Sequence, residues 1–272
     1  MNIIKNTILP ESVGIIGCGW LGKALALELL AQQCDVFATV QSQEKVIELA
    51  RQGIKAETLA LPYPLLVKNN VNSGVASGKT KYVFQQKSLV ICLPPQLKQG
   101  KSDYPEKLEQ IVKYAEQGGV QQLILVSTSS IYNGLSGEVD ETSTLNFSAE
   151  KVSVLHQGEQ AVKAFRGKVS ILRLTGLIGS DRHPGRFLQG KRELSNPNGF
   201  VNLIHQQDAV GLLFSILKRP QQQGVFNGVS QSHFTRKTFY HLAAQSLNLP
   251  EPKFSEGKAT ITNVVSKLIM DK

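Results

Sequence analysis

The sequence predicts an α/β protein built on a doubly wound parallel sheet. Short β-rich runs alternate with helical patterns along most of its 272 residues. Several runs, "LVICL" and "LILVS" among them, are apolar throughout, as strands covered on both faces must be. The first run also ends in a glycine-rich turn that opens a helix.

Taken in order, "SVGIIG" (12–17) leads into the helix "LGKALALELLAQQ", and "DVFATV" (35–40) into "SQEKVIELARQG". Residues 55–87 are less regular: "ETLAL" (57–61) is a candidate third strand, and "KNNVNSGVASGKT" (68–80) reads as a polar, glycine-containing loop expected to be mobile. "SLVICLPP" (88–95) precedes the helix "YPEKLEQIVKYAEQGG", which precedes "QQLILVSTSS" (121–130). In "VSVLHQGEQAVKAF", Leu155, Val162 and Phe165 share a helical face. "VSILRLTGLIG" is a further strand, followed by a turn-rich region to Phe200, the helix "HQQDAVGLLFSILKR", the strand "GVFNG" and the helix "FTRKTFYHLAAQSLNL".

Composition narrows the function classes. The chain is 41% hydrophobic and 19% charged, with no apolar run long enough to span a membrane and no signal-peptide pattern at its start. Three cysteines (18, 34 and 92), without C-x-x-C spacing, give neither a disulfide framework nor a thiolate metal site. The five histidines form no H-x-x-x-H pair, and the expectation is a cytoplasmic protein with no metal. A net charge of +9 favours anionic partners. The one dense basic patch, "RHPGRFLQGKR", holds Arg182, Arg186, Lys191 and Arg192. It reads either as a solvated basic loop or as an anion site. No basic recognition helix, zinc spacing or aromatic RNA-binding motif accompanies it, so nucleic acid is not an expected partner.

"GCGWLG" carries the chemistry. Gly17, Gly19 and Gly22 form G-x-G-x-x-G between an apolar strand and a helix, the context that the dinucleotide-binding turn requires. Gly17 allows the tight turn and Gly19 lets the backbone approach a pyrophosphate. Gly22 lets the helix pack closely, so that Trp20, Leu21 and Gly22 open a helix N-terminus facing the anion. An acid about 20 residues on would bind the adenosine ribose. At that position the chain has Val40, Gln41 and Ser42, while Asp35 begins the strand and Glu44 lies beyond it. Without that carboxylate, and with Thr39, Gln41, Ser42 and Lys45 as donors, NADP is favoured over NAD. Leu93 and Pro94 of "CLPP" either wall the cofactor or merely end their strand.

"GIIGCGWLG", "LILVSTSSIYN", "ILRLTGLIGSDRHPGRF" and "VNLIHQQDAVGLL" together resemble the extended short-chain dehydrogenase/reductases, in particular the atypical NAD-dependent epimerase/dehydratase or nucleoside-diphosphate-sugar-epimerase-like proteins. The resemblance implies a Rossmann-like domain over residues 1–180, completed by 201–228, and a small substrate lobe from 181–200 and 229–272. It places Thr128 where the family has a catalytic Ser or Thr, to orient a substrate oxygen, with Tyr132 the nearest phenol to exchange a proton with the substrate. It also offers Arg182, His183 and Arg186 to an anionic substrate. The family's Tyr-x-x-x-Lys pair is missing: no tyrosine has Lys four residues on, and Lys151 and Leu155 stand where the pair belongs. His205 is either a substitute acid/base or, with Asp208, a cap for the helix that follows. The reading is therefore an NAD(P)-dependent oxidoreductase or epimerase-like enzyme for a nucleotide-sugar-like or other anionic small molecule. The alternative is a catalytically silent NAD(P) sensor or regulator.

Overall fold

The computed structural model describes residues 8–62, 81–97, 100, 103–231, 234–256 and 261–267; the polar loop at 68–80 lies outside them. In chain order the elements begin β1 (Ser12–Ile16), α1 (Trp20–Ala31), β2 (Asp35–Val40), α2 (Gln43–Ala50), β3 (Lys55–Thr58) and β4 (Ser88–Ile91). There follow α3 (Tyr104–Gly118), β5 (Gln122–Thr128), β6 (Gly137–Val139), α4 (Glu150–Lys163), β7 (Lys168–Leu174) and β8 (Gly176–Ile178). The chain closes with β9 (Leu203–His205), α5 (Gln206–Lys218), β10 (Gly224–Gly228), α6 (Arg236–Gln245) and β11 (Thr262–Val264).

The main sheet has seven strands in the order β10-β7-β5-β4-β1-β2-β3, and β3, β2, β1, β4 and β5 pair in parallel. This is the doubly wound arrangement the alternating sequence predicts, with its topological switch between β1 and β4, where such sheets bind ligands beyond their carboxyl ends. The apolar runs are buried as expected: Val13, Ile15, Leu89, Val90, Leu123 and Leu125 have no exposed surface. Helix α3 ends at Gly119, whose left-handed φ of 80° provides the C-terminal turn. Among the described residues no helix is long and apolar enough to cross a membrane.

Two compact units partition the chain. The first comprises Met1–Val126, Val154–Ile171 and Leu213–Gly224; the second comprises Ser127–Ser153, Leu172–Leu212 and Val225–Lys272. The division expected from the sequence, a lobe of 181–200 and 229–272, is drawn differently from these units. The reason lies in the second unit's own packing. Tyr132, Arg173 and Asn227 join three separate stretches in one buried hydrogen-bonded cluster. A Cβ on Gly228 would meet Leu174 at 2.5 Å and Leu212 at 3.1 Å. Residues 127–153, 172–180 and 201–212 therefore group with the C-terminal segment. Two short parallel pairs, β8 with β9 and β11 with β6, complete the second unit.

Candidate cofactor cradle and second-unit cavity

In the first unit, a cavity of about 220 Å³ opens at the carboxyl ends of β1, β2 and β4. Gly17, Cys18 and Gly19 floor it, Thr39, Val40, Gln41 and Lys45 line one side, and Cys92, Leu93 and Pro94 another. Each glycine has its own reason. Gly17 has φ +83° and sits against the Cys92 carbonyl, which a Cβ would meet at 2.9 Å. A Cβ on Gly19 would meet nothing within 4 Å, so this position faces open space. At Gly22 a Cβ would strike the Gly17 carbonyl at 2.8 Å, because the helix lies that close to the turn.

The loop is pinned from β2. The Cys18 N–H donates to the Thr39 carbonyl (2.8 Å), and the Gly17 N–H donates to Thr39 Oγ1 (3.3 Å). Helix α1 has no side-chain cap and no acid in its first turn. An anion is therefore the fitting partner for the N–H groups that a helix start leaves without intrahelical acceptors. These features fit a dinucleotide pyrophosphate.

The sequence-derived cofactor residues divide by role. Gly17, Gly19, Gln41, Leu93 and Pro94 line the cavity. Leu21 does not: its side chain is 7% exposed and belongs to the core. Trp20 and Gly22 also lie outside the lining, and these three residues form the first turn of α1. Ser42 is another correction, since its hydroxyl bonds to Glu44, holding that carboxyl below its usual range, and it does not reach the cavity. Thr39 is 2% exposed and serves as the loop's anchor. Lys45 is exposed and has no ion pair among the described residues, whereas Lys23 pairs with Glu48 and the cavity-lining Lys107 with Asp103. Cys18 and Cys92 also line the cavity, which the sequence did not signal. Burial pushes their thiols up to about 11 and about 12 respectively, keeping both neutral.

In the second unit, Thr128 ends β5 half-exposed, its Oγ1 accepting from the Ser130 N–H at 3.2 Å and lying 3.2 Å from Ser130 Oγ. Tyr132 is a different case. It is 2% exposed, donates its hydroxyl hydrogen to Asn227 Oδ1 (2.8 Å) and accepts from Arg173 Nη1 (2.9 Å). Burial pushes its phenol up, against the opposing pull of Arg173. The proton-exchanging role expected for Tyr132 is corrected to a structural one, because its only proton is spent inside the protein. An arginine within the apolar run "VSILRLTG" is a trace of a buried charge in the sequence, but it does not name Tyr132 as its partner.

Arg182 and Arg186 are exposed, and the Arg182 guanidinium lies over the Phe187 ring at 5.9 Å. Only His183 of the three expected substrate contacts lines a cavity, one of about 470 Å³ that it shares with His205 and α6. His205 Nδ1 accepts from the Gln207 N–H (3.3 Å), so it caps the start of α5. Lys151 is exposed and Leu155 buried, and they supply no substitute for the missing pair.

Comparison with known proteins agrees with this architecture. Residues 12–97, which contain the whole glycine turn and the β4 end, match the model of the family described as NADP oxidoreductase coenzyme F420-dependent. Protein YeeZ of Escherichia coli K12 is 32% identical over 247 residues, covering 90% of this chain and 86% of its own. The chain belongs to the YeeZ family. The structure also resembles UDP-glucuronic acid 4-epimerase from Bacillus cereus in complex with NAD, with a TM-score of 0.69, 14% identity and coverage of 93% of this chain and 89% of that one. It further resembles the human epimerase family protein SDR39U1 with NADPH, with a TM-score of 0.64, 18% identity and coverage of 89% and 82%. This member of the YeeZ family thus has the Rossmann-like α/β fold of these epimerase structures, and its sequence lacks the Tyr-x-x-x-Lys pair.

Proposed function

We propose that this protein is an NAD(P)(H)-dependent oxidoreductase or epimerase-like enzyme for an anionic small molecule, with NADP(H) the preferred cofactor. The observation that carries this reading is the cavity of the first unit, where Gly19 leaves room at a helix start that has neither cap nor acid. Residues 17–22 would hold the pyrophosphate and Leu93 and Pro94 would wall the site. Gln41 occupies the place of the ribose-binding acid, and Lys45 offers a cation to a 2′-phosphate. When bound, the nicotinamide supplies a hydride donor or acceptor. The chain's own contribution would be orientation, with Thr128 offered to a substrate oxygen and the proton on that oxygen exchanged with water rather than with Tyr132.

A second reading, an NAD(P) sensor, is favoured by the buried, doubly bonded Tyr132 hydroxyl and the missing pair. Trp20, the only tryptophan, opens α1 beside the cradle, so its fluorescence reports binding directly. Titration with NADPH and NADH should give saturable quenching, stronger for NADPH. No response to either overturns both readings. Consumption of bound NADPH in a screen of sugar nucleotides and carbonyl acids supports the enzyme, and binding without turnover across that screen supports the sensor.

A further inference from the structure

We propose that the second unit carries a binding site of its own for an apolar carboxylic acid, in the cavity between the β8 and β9 ends and α6. This goes beyond the cofactor reading and does not depend on it. The cavity measures about 470 Å³, within the roughly 300–1,000 Å³ of small-molecule sites. Its walls are largely apolar: Ile178, Phe239, Phe234 and Leu242 line it, and the last two are left 51% and 52% exposed. Large apolar side chains at a concave site mark a surface that a ligand covers.

The polar side chains are few: two histidines and two serines, Ser180 and Ser246. His183 Nδ1 accepts from the Gly185 N–H (3.1 Å) and His205 Nδ1 accepts from the Gln207 N–H (3.3 Å). A ring nitrogen that accepts has no hydrogen, so each neutral imidazole carries its proton on Nε2. Both rings line the cavity, and the backbone ties each in the tautomer whose Nε2–H is left as its donor. Among the described residues no Asp or Glu lines it, and Ser246, the hydroxyl on the α6 side, donates to the Ala243 carbonyl (2.9 Å). A largely apolar cavity whose histidines can donate only from Nε2, with hydroxyls beside them and no carboxylate among its described lining, favours an apolar body bearing an oxygen acceptor. The exposed Arg182 and Arg186 on either side of His183 in the chain favour the anionic form of that acceptor. The α6 wall is fixed: Gly185 backs so closely on this helix that a Cβ there would lie 2.1 Å from the Ala243 carbonyl.

The test titrates 3-phenylpropionate and 3-phenyl-1-propanol into the full chain, with calorimetry for affinity and ¹⁵N-histidine NMR for the rings. The acid should bind at least tenfold more tightly than the alcohol and shift the Nε2 signals of His183 and His205. His183→Asn and His205→Asn keep an acceptor for the backbone N–H they cap but remove the Nε2–H. Each should weaken the acid about tenfold. Leu242→Glu, an exposed substitution, should abolish binding while leaving the Trp20 response to NADPH unchanged. Equal affinity for acid and alcohol, unaltered affinity in the Asn variants, or no binding of the acid would each overturn the proposal. None of these outcomes alters the NADPH titration, so the two readings fail separately.

Discussion

Replacing Tyr132 with Phe separates a structural phenol from a chemical one. The ring stays, and so does the seat of the Arg173 guanidinium over it at 5.2 Å. The hydroxyl goes, and with it a 2.8 Å bond to Asn227 and a 2.9 Å bond from Arg173. Both partners are buried, Arg173 at 5% exposure and Asn227 at 4%, so neither recovers its lost bond fully from water. One neutral and one charge-assisted bond lost in such a place amount to about 2–4 kcal/mol. For a chain of this size that lowers Tm by roughly 4–16 °C. Scanning calorimetry gives the stability, and Trp20 fluorescence the cofactor affinity, which should stay within about twofold because neither partner of the Tyr132 hydroxyl lines the cradle. Turnover, once a substrate is in hand, should change only a few-fold. A general acid removed from the chemical step would instead cost about 10²–10⁴ in rate with Tm nearly unmoved. That second pattern would refute the structural assignment.

The glycines give a paired prediction: Gly19→Ala should leave Tm close to that of the parent, since its methyl meets nothing within 4 Å, and weaken NADPH at least tenfold. Gly22→Ala should cost about 1–3 kcal/mol of stability, because its Cβ presses on the Gly17 carbonyl; equal Tm values would contradict the packing. Lys45→Ala should weaken NADPH about tenfold while leaving NADH unchanged, and Gln41→Asp should reverse the preference; parallel titrations decide both. Hydrogen bonds from Lys267 and Thr142 hold the Asp140 carboxyl well below the usual carboxylate range. A depressed acid stabilises the fold above its unfolded value of about 3.9 and loses that contribution as pH falls. Acid unfolding below about pH 4 should therefore be shallower in Lys267→Ala, and an unchanged pH profile would remove the pair from the account. The thiols of Cys18 and Cys92, held neutral near pH 7, should alkylate slowly there and more slowly still with NADPH bound.

Strands buried on both faces were the most readable part of this sequence. β1, β4 and β5 are apolar runs whose burial demands no knowledge of the partner strand, and each begins within a residue of where the pattern starts. "ETLAL" was less exact: β3 is Lys55–Thr58, two residues earlier, because this four-residue strand pairs with β2 alone and has no alternating pattern to fix its register. "VSILRLTGLIG" reads as one strand yet forms two. Thr175 donates from both its N–H and its hydroxyl to the Gly228 carbonyl, and Gly176 turns to Asn202, contacts set by residues far along the chain. β6, β9 and β11, at three residues each, carry no periodic signal at all. In the site, the glycine pattern announced its cavity because backbone geometry is local. The burial of Tyr132 could not be read, since its two partners lie 41 and 95 residues away.

Unit two is also closed from its far end, and this sets the order in which it can be made. β11 pairs with β6 across more than a hundred residues of chain, and Asn202 clasps it by donating to the Thr262 carbonyl and accepting from the Val264 N–H. Asn227 donates to the Val265 carbonyl, and Lys267 reaches Asp140. A ribosome delivers residues 262–267 after the partners they bind. Until it does, β6 is a bare edge and the side-chain amides of Asn202 and Asn227 await their mates, a state open to proteases and to pairing with other chains. A nascent chain stopped short of Thr262 would carry a complete glycine turn but an unfinished second unit. Synthesis past Lys267 is thus a checkpoint written into the hydrogen bonds of residues 262–267.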